Sequence, residues 1–345
     1  MTYAILFNPG HNRVYFESSI ILSVSEFRIV TKSFNSIIDN VEYASIEGIK
    51  YLVFDTRRLL NSSEIKAISN LSFMYAFFKV ESINDCTYLS PIELQRVEYI
   101  DEGISSILKY SGKTNEIFTR MMINIASSFH TDVKNIKLLD PVSGKGTTLY
   151  EGLVKGFDVY GIEIGDKVVG EAVLFMKRFL ENARYKFEYT SIKISGPNKS
   201  YTALKHTFTV AKTKEEQKNR NTKIIEFISG NSVYANKYYK KEYFDIIVGD
   251  LPYGIQHGNV TKEKQSSITR NPSELLKLCL PAWVDVLKHK GTIVISWNKN
   301  VLSRKDIEQI FQENNLLIEK EEVYMSFVHR VDQSITRDIL VATKV

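Results

Sequence analysis

The chain has 345 residues, 43% apolar and 25% charged, the balance of a soluble globular protein with room for one large α/β domain and a smaller one. No apolar run is long enough to span a bilayer, and Met1 to Phe7 lacks the basic start of a signal peptide, so membrane association and secretion are not expected. Cys86 and Cys279 stand far apart without metal-ligand spacing, which excludes a disulfide framework and a cysteine zinc site and points to a reducing cytoplasm; the net charge of +5 matters less than its distribution.

In chain order, residues 1–100 read as a small α+β domain. Tyr51-Leu52-Val53-Phe54 is a strand. Asn61-Ser62-Ser63-Glu64 offers an N-cap ahead of a helical periodicity from Ile65 to Phe78, and Phe73, Tyr75, Phe77 and Phe78 are expected in the core. A connector over 101–114 leads to a helix beginning at Asn115. From Ile136 strands and helices alternate to the end of the chain, which predicts a Rossmann-like α/β domain over 115–345 built on a mostly parallel sheet. Its strands are Ile136–Asp140, Asp158–Glu163, Ile224–Ile228, Phe244–Gly249 and Thr292–Trp297, followed by two closing strands near Val323–His329 and Ile339–Thr343. One insertion, 184–223, interrupts the alternation; it carries ten basic residues against three acidic ones, the footprint of a polyanionic partner such as RNA.

Ligands of such sheets bind at the carboxyl ends of the strands, and the distinctive motifs fall there. Asp140-Pro141-Val142-Ser143-Gly144-Lys145-Gly146-Thr147-Thr148 follows the first strand and opens a helix, with glycines that let backbone approach a ligand. It is not a dinucleotide fingerprint, because Leu149 replaces the last glycine. Nor is Gly112-Lys113-Thr114 a P-loop, since Ile107 stands where the first glycine belongs. Glu163, ending the second strand, suits the two hydroxyls of a ribose. Asn231, with Ser232 beside it, follows the third strand and offers an acceptor for an adenine amino group. Asp250-Leu251-Pro252-Tyr253-Gly254 ends the fourth. A carboxylate and a main-chain carbonyl aimed by Pro252 would take the two hydrogens of an exocyclic base amine, while Tyr253 offers a ring on which the base stacks. His257 is a candidate for lining that pocket, whereas Trp297 reads as packing; the six histidines form no metal-spaced cluster.

Together these motifs resemble class I S-adenosylmethionine-dependent amino-methyltransferases over residues 113–345, and the D-L-P-Y-G form is similar to that of the THUMP-associated tRNA guanine-N2 methyltransferases. The resemblance implies a seven-stranded methyltransferase sheet, a ferredoxin-like N-terminal module and S-adenosylmethionine as cofactor. It places Asp140, Pro141, Ser143, Gly144, Gly146, Thr147 and Thr148 at the methionine end of the cofactor. Glu163 falls at the ribose, Asn231 and Ser232 at the adenine, and Asp250, Leu251, Pro252 and Tyr253 at the target amine. The expected activity is methyl transfer to guanine N2 of tRNA. Two alternatives stay open: a DNA adenine-N6 or cytosine-N4 methyltransferase, and a catalytically silent RNA-binding or partner-activating protein with the same fold.

Overall fold

A computed structural model describes residues 1–8, 13–84, 86–107, 114–253 and 271–345. By internal contacts it divides into two units, Met1–Val97 with Glu321–His329, and Glu98–Lys320 with Arg330–Val345. The sequence places one boundary between residues 100 and 115; the contacts place it after Val97, and a second exchange of units occurs near the carboxyl terminus.

The first unit runs β1 (Thr2–Phe7), a helix (Arg13–Thr31), β2 (Ile38–Ile46), β3 (Ile49–Thr56), a helix (Ser62–Ser69), β4 (Met74–Ile83) and β5 (Cys86–Ile92). The strands lie in the order β2-β3-β1-β4-β5, every pair antiparallel, which is a split β-α-β arrangement extended by one strand. Asn61 caps its helix through a reciprocal box: its side chain accepts the Glu64 amide at 2.9 Å, and Glu64 Oε2 accepts the Asn61 amide at 2.9 Å. The helix ends at Ser69, not at Phe78. Met74–Phe78 pairs instead with β1, because a residue pattern compatible with either period takes the one that completes a sheet. Phe73 and Phe77 are buried as expected, but Tyr75 is 56% exposed: the register shifts here, Leu6 pairing with Ala76 and Phe7 with Met74, so a bulge at Tyr75 breaks the strand alternation that would place it beside Phe77.

The second unit carries the sheet that positions the site. Its strands are β6 (Lys137–Asp140), β7 (Asp158–Glu163), β8 (Lys186–Ser195), β9 (Thr202–Ala211), β10 (Lys223–Ser229), β11 (Phe244–Asp250), β12 (Leu287–Asn298), β13 (Leu316–Ile318), β14 (His329–Arg330) and β15 (Thr336–Lys344). The order is β13-β15-β12-β11-β6-β7-β10-β9-β8, with β14 beside β15. Seven of these strands, β13 to β10 in that order, form the expected Rossmann-like methyltransferase sheet. The count reaches ten among the described residues because the insertion adds the hairpin β8–β9 to one edge and β14 pairs at the other. Strands β6, β7, β10, β11 and β12 are parallel, and β15 is antiparallel to both neighbours.

The central strands β6, β7 and β11 are apolar runs buried on both faces, so helices must cover both. The helix Glu116–Ser127 is capped by Asn115, which accepts the Phe118 amide at 3.1 Å, and buries Phe118, Met121, Met122 and Ile125. The helix Asp166–Asn182 buries Val169, Ala172, Met176 and Leu180 at helical spacing. Strand β6 sits between β7, its successor, and β11, reached from the far side of the sheet; the carboxyl ends on either side of this switch point face one crevice.

The expectation of a strand over Val323–His329 fails. Glu322–Met325 is a helical turn, and its segment packs with the first unit: Glu321 pairs with Lys32 at 2.7 Å, and the Lys32 ammonium lies 4.4 Å from the centre of the buried Tyr324 ring. Among the described residues no helix is long and apolar enough to cross a membrane.

Gly152 shows how tightly β6 and β7 hold the Thr147–Val154 helix. A Cβ there would stand 2.7 Å from Val159 Cγ1 and 3.3 Å from Leu138 Cδ1. Gly152→Ala should therefore cost about 1–3 kcal/mol, measured as a lower urea midpoint at unchanged slope; an unaltered midpoint would mean that the helix is free to shift.

Candidate active site

The loop from Asp140 to Thr148 folds over the carboxyl end of β6. Gly144 and Gly146 both have positive φ, +51° and +94°. At Gly146 a Cβ would also meet Phe227 Cε1 at 3.0 Å, so conformation and space both exclude a side chain. A Cβ at Gly144 would meet nothing within 4 Å, so the loop backbone there borders open space. Gly146 then caps the Thr147–Val154 helix with no side-chain acceptor.

Asp140 is buried and accepts the Val142 amide at 3.0 Å and a hydrogen bond from Thr148. Burial pushes its carboxyl up to about 7; the hydrogen bonds oppose this, and the charges of Asp250 and Glu163 add to it. Glu163 ties the loop to β7, accepting the Gly144 amide at 3.1 Å and the Gly165 amide at 2.8 Å. Burial raises its pKa and these amides counter the rise. Pro141, Ser143, Thr147 and Thr148 form the inner side of the loop: all four are buried, the Ser143 amide donates to Ile162 O at 2.9 Å, and its carbonyl accepts from Gly146. Lys145 turns away to pair with Glu171 at 2.7 Å.

Asn231 and Ser232 divide. Asn231 Oδ1 accepts the Val233 amide at 3.0 Å, capping a short turn, and retains a second lone pair. The Ser232 hydroxyl is buried and accepts from Trp283 Nε1 at 2.9 Å, so it supports the turn from behind.

Across the switch point, the Asp250 carboxylate is engaged on both oxygens. Its Oδ2 accepts from the Thr114 hydroxyl at 2.7 Å and the Tyr253 hydroxyl at 2.5 Å, and the Ser296 hydroxyl donates to Oδ1. The guanidinium of Arg337, on β15, lies 3.7 Å from Oδ2 and donates to the Tyr253 oxygen. It lies 4.3 Å from the centre of the Phe118 ring and 5.2 Å from that of Tyr253. Burial and the Asp250 charge push the Tyr253 pKa far up, so its hydroxyl stays a donor. Leu251 is buried, and its amide donates to Ser296 O at 2.9 Å, carrying the pairing with β12 beyond the end of β11. Pro252 follows, half-buried, and aims the chain toward Tyr253.

Sequence reasoning missed Thr114, Phe118, Ser296 and Arg337. The one signal for Arg337 was a charged pair, Arg337-Asp338, at the head of the apolar run Ile339 to Ala342. Trp297 is packing, fully buried with its indole donating to Leu302 O at 2.7 Å. Gly112, Lys113, Gly254 and His257 lie outside the described residues. Among those described, no three His, Cys, Asp or Glu side chains group to hold a metal.

The family model of the RMKL-like methyltransferase domain (UPF0020) matches residues 110–330, more than half of the chain. The chain belongs to this family. It is therefore a class I methyltransferase whose cofactor is S-adenosylmethionine. No curated protein matches it in sequence. Among solved structures it is similar to TrmN from Thermus thermophilus, with 9% identity, a TM-score of 0.44, and 100% of this chain and 99% of that one covered. It is also similar to an rRNA methylase from Streptococcus thermophilus, with 10% identity, a TM-score of 0.34, and 65% and 96% covered. A third is a TehB-like SAM-dependent methyltransferase from Corynebacterium glutamicum, with 14% identity, a TM-score of 0.33, and 62% and 82% covered.

The donor set fits the cofactor. Open space beside the Gly144 backbone leaves room where the amino-acid end would lie, and the Glu163 carboxylate at the end of β7 would suit ribose hydroxyls.

Two outcomes test this geometry. Arg337→Ala should leave S-adenosylmethionine binding by calorimetry intact while lowering turnover about a hundred-fold, since Tyr253 and Asp250 lose the group that aligns them; equal losses in both would place Arg337 in general folding. Asp140 sets a pH dependence. The unfolded chain releases this proton near the ordinary carboxylate value of about 4, the native state near 7. The native state thus holds an extra proton across that window, and stability falls as pH rises through it. Urea midpoints at about pH 5 and about pH 8 should differ more for the natural protein than for Asp140→Asn.

Proposed function

We propose that this methyltransferase acts on the exocyclic amine of a nucleic-acid base, most specifically guanine N2 of tRNA. The supporting observation is Asp250, a carboxylate at the carboxyl end of β11, across the switch point from the Asp140 loop and Glu163. An aromatic amine is a weak nucleophile because its lone pair is delocalised into the ring. The bound cofactor supplies an electrophilic methyl group. The Asp250 carboxylate accepts one hydrogen of the amine and the Leu251 carbonyl the other, which draws the nitrogen toward tetrahedral geometry and offsets the positive charge it gains.

In the structure Asp250 Oδ2 is already engaged by Thr114 and Tyr253. A target amine displaces the Tyr253 hydroxyl, whose oxygen remains held by Arg337, and the freed ring turns its face to the base. Ser296 and Thr114 keep the carboxylate oriented throughout.

The RNA part of the reading rests on the insertion 184–223. Of its ten basic residues, Lys205 is engaged inside the protein, paired with Glu226 at 3.3 Å, and Lys212 donates to Glu98 O at 2.8 Å. Lys223 donates to Asn135 Oδ1 at 3.0 Å, and the remaining seven supply the positive field that an RNA backbone requires.

The direct test incubates the protein with labelled S-adenosylmethionine and unmodified tRNA, rRNA or DNA, followed by nucleoside analysis. Label in N2-methylguanosine is expected, with at least about a hundred-fold loss in Asp250→Ala. Label in N6-methyladenine or N4-methylcytosine of DNA would replace the substrate, and full activity of Asp250→Ala would remove the mechanism.

A further inference from the structure

The hairpin β8–β9 carries a feature that methyl transfer does not use. Strand alternation puts Tyr189, Ser191 and Lys193 of β8 on one face with Leu204 and His206 of β9. The rings of Tyr189 and His206 lie within 12° of parallel with centroids 6.1 Å apart, and Tyr189 Oη is 2.7 Å from His206 Nδ1. That contact is shorter than the ~3.5 Å separating stacked carbon faces, so the rings are offset from each other and meet through their edges in one nearly parallel pair, a plate. Phe208, fully buried, packs against Tyr189 at 4.8 Å and supports it. Burial lowers the His206 pKa, which favours the neutral ring. Tyr189 is 39% exposed and Leu204 beside it 40% exposed.

The register relates this plate to the active site. Lys193, Leu204, Ser229 and Glu163 are successive partners across β8, β9, β10 and β7. An exposed lysine on the plate's face therefore stands level with the cofactor-site carboxylate, three strand spacings or about 14 Å away. The turn that joins β8 to β9, with Lys199, lies beyond that level, on the edge of the sheet where Asp250 sits.

We infer that the Tyr189–His206 plate is a stacking platform for an unpaired base of the substrate RNA, with Lys193 and Lys199 holding phosphates between it and the active site. The inference rests on the RNA reading of the proposed function and extends it to a second contact. The phenol and the imidazole Nδ1 engage each other, so the plate offers ring faces more than hydrogen-bond donors. It accepts any base, and stacking on such faces is sequence-tolerant. The flanking lysines and the level of the active site favour a nucleic-acid strand over an apolar peptide.

The test measures binding of a fluorescein-labelled oligoadenylate and of a labelled, unmodified tRNA transcript by anisotropy, with S-adenosylmethionine binding by calorimetry as control. Tyr189→Ala/His206→Ala should weaken both RNAs by about ten-fold or more and leave the cofactor affinity unchanged. Tyr189→Phe/His206→Phe, which keeps two ring faces and loses their hydrogen bond, should retain most of the affinity. Lys193→Glu/Lys199→Glu should weaken binding and flatten its salt dependence. If the natural protein binds S-adenosylmethionine but neither RNA, the RNA reading itself is wrong. If it binds RNA and the double alanine variant binds equally well, only the platform is wrong. A loss in the phenylalanine variant as large as in the alanine variant would also overturn stacking.

Discussion

The carboxylate of Asp250 is the constraint around which the catalytic unit is arranged. A half-buried carboxylate must have its hydrogen-bonding capacity filled or lose free energy to desolvation. Here three hydroxyls donate, from Thr114 ahead of the Glu116–Ser127 helix, Ser296 on β12 and Tyr253 just after β11, and the guanidinium of Arg337 on β15 pairs with the charge at 3.7 Å. Each arrives only if the sheet order is right. Strand β12 must lie beside β11, and the antiparallel β15 beside β12, for Ser296 and Arg337 to face the same oxygens. The buried Arg337 needs Phe118 and Tyr253 against its guanidinium in turn, which links the carboxylate to the packing of the Glu116–Ser127 helix.

The carboxylates on either side of the switch point sit in different surroundings. Asp140 is enclosed and its burial favours the neutral form, whereas Asp250 is met by three hydroxyls and lies 3.7 Å from a guanidinium. Glu163 is buried but held by two amides. The crevice thus combines a loop-bracing acid, a polar acceptor at a strand end and a carboxylate ringed by donors.

The insertion solves a structural problem as well as supplying charge. Without it, β10 would be an exposed edge of a parallel sheet, with unpaired backbone groups. The hairpin covers that edge and replaces it with β8, whose mixed polar, aromatic and charged side chains are largely exposed. Its basic residues separate along the strands. Lys193 and Lys199 stand toward the carboxyl edge, while Arg184, Lys186, Lys214, Lys218 and Arg220 gather at the opposite end.

Much of this architecture is legible in the residue order alone. The regular alternation from Ile136 marks the βα units; glycines at 144 and 146 mark a turn that needs positive φ; and Asp140, Glu163 and Asp250 fall at strand ends by counting. Such features are local: period, turn chemistry and a polar residue closing an apolar run. The bond between Ser232 and Trp283 is not legible in the sequence, because only the fold brings Trp283 behind it. Met74–Phe78 is ambiguous because an apolar stretch fits helix or strand until β1 offers it a partner. The helical turn at Glu322–Met325 meets Lys32, nearly three hundred residues earlier, a contact no local pattern announces. Arg337 and Ser296 belong to the site only through the neighbours of β11, and the Tyr189–His206 plate exists only through the register of β8 with β9. The residue order determined which side chains stand at strand ends and loops, because backbone period and turn geometry act over a few residues. Which of them meet was decided by strand order and register, which are set by burial shared across the whole sheet.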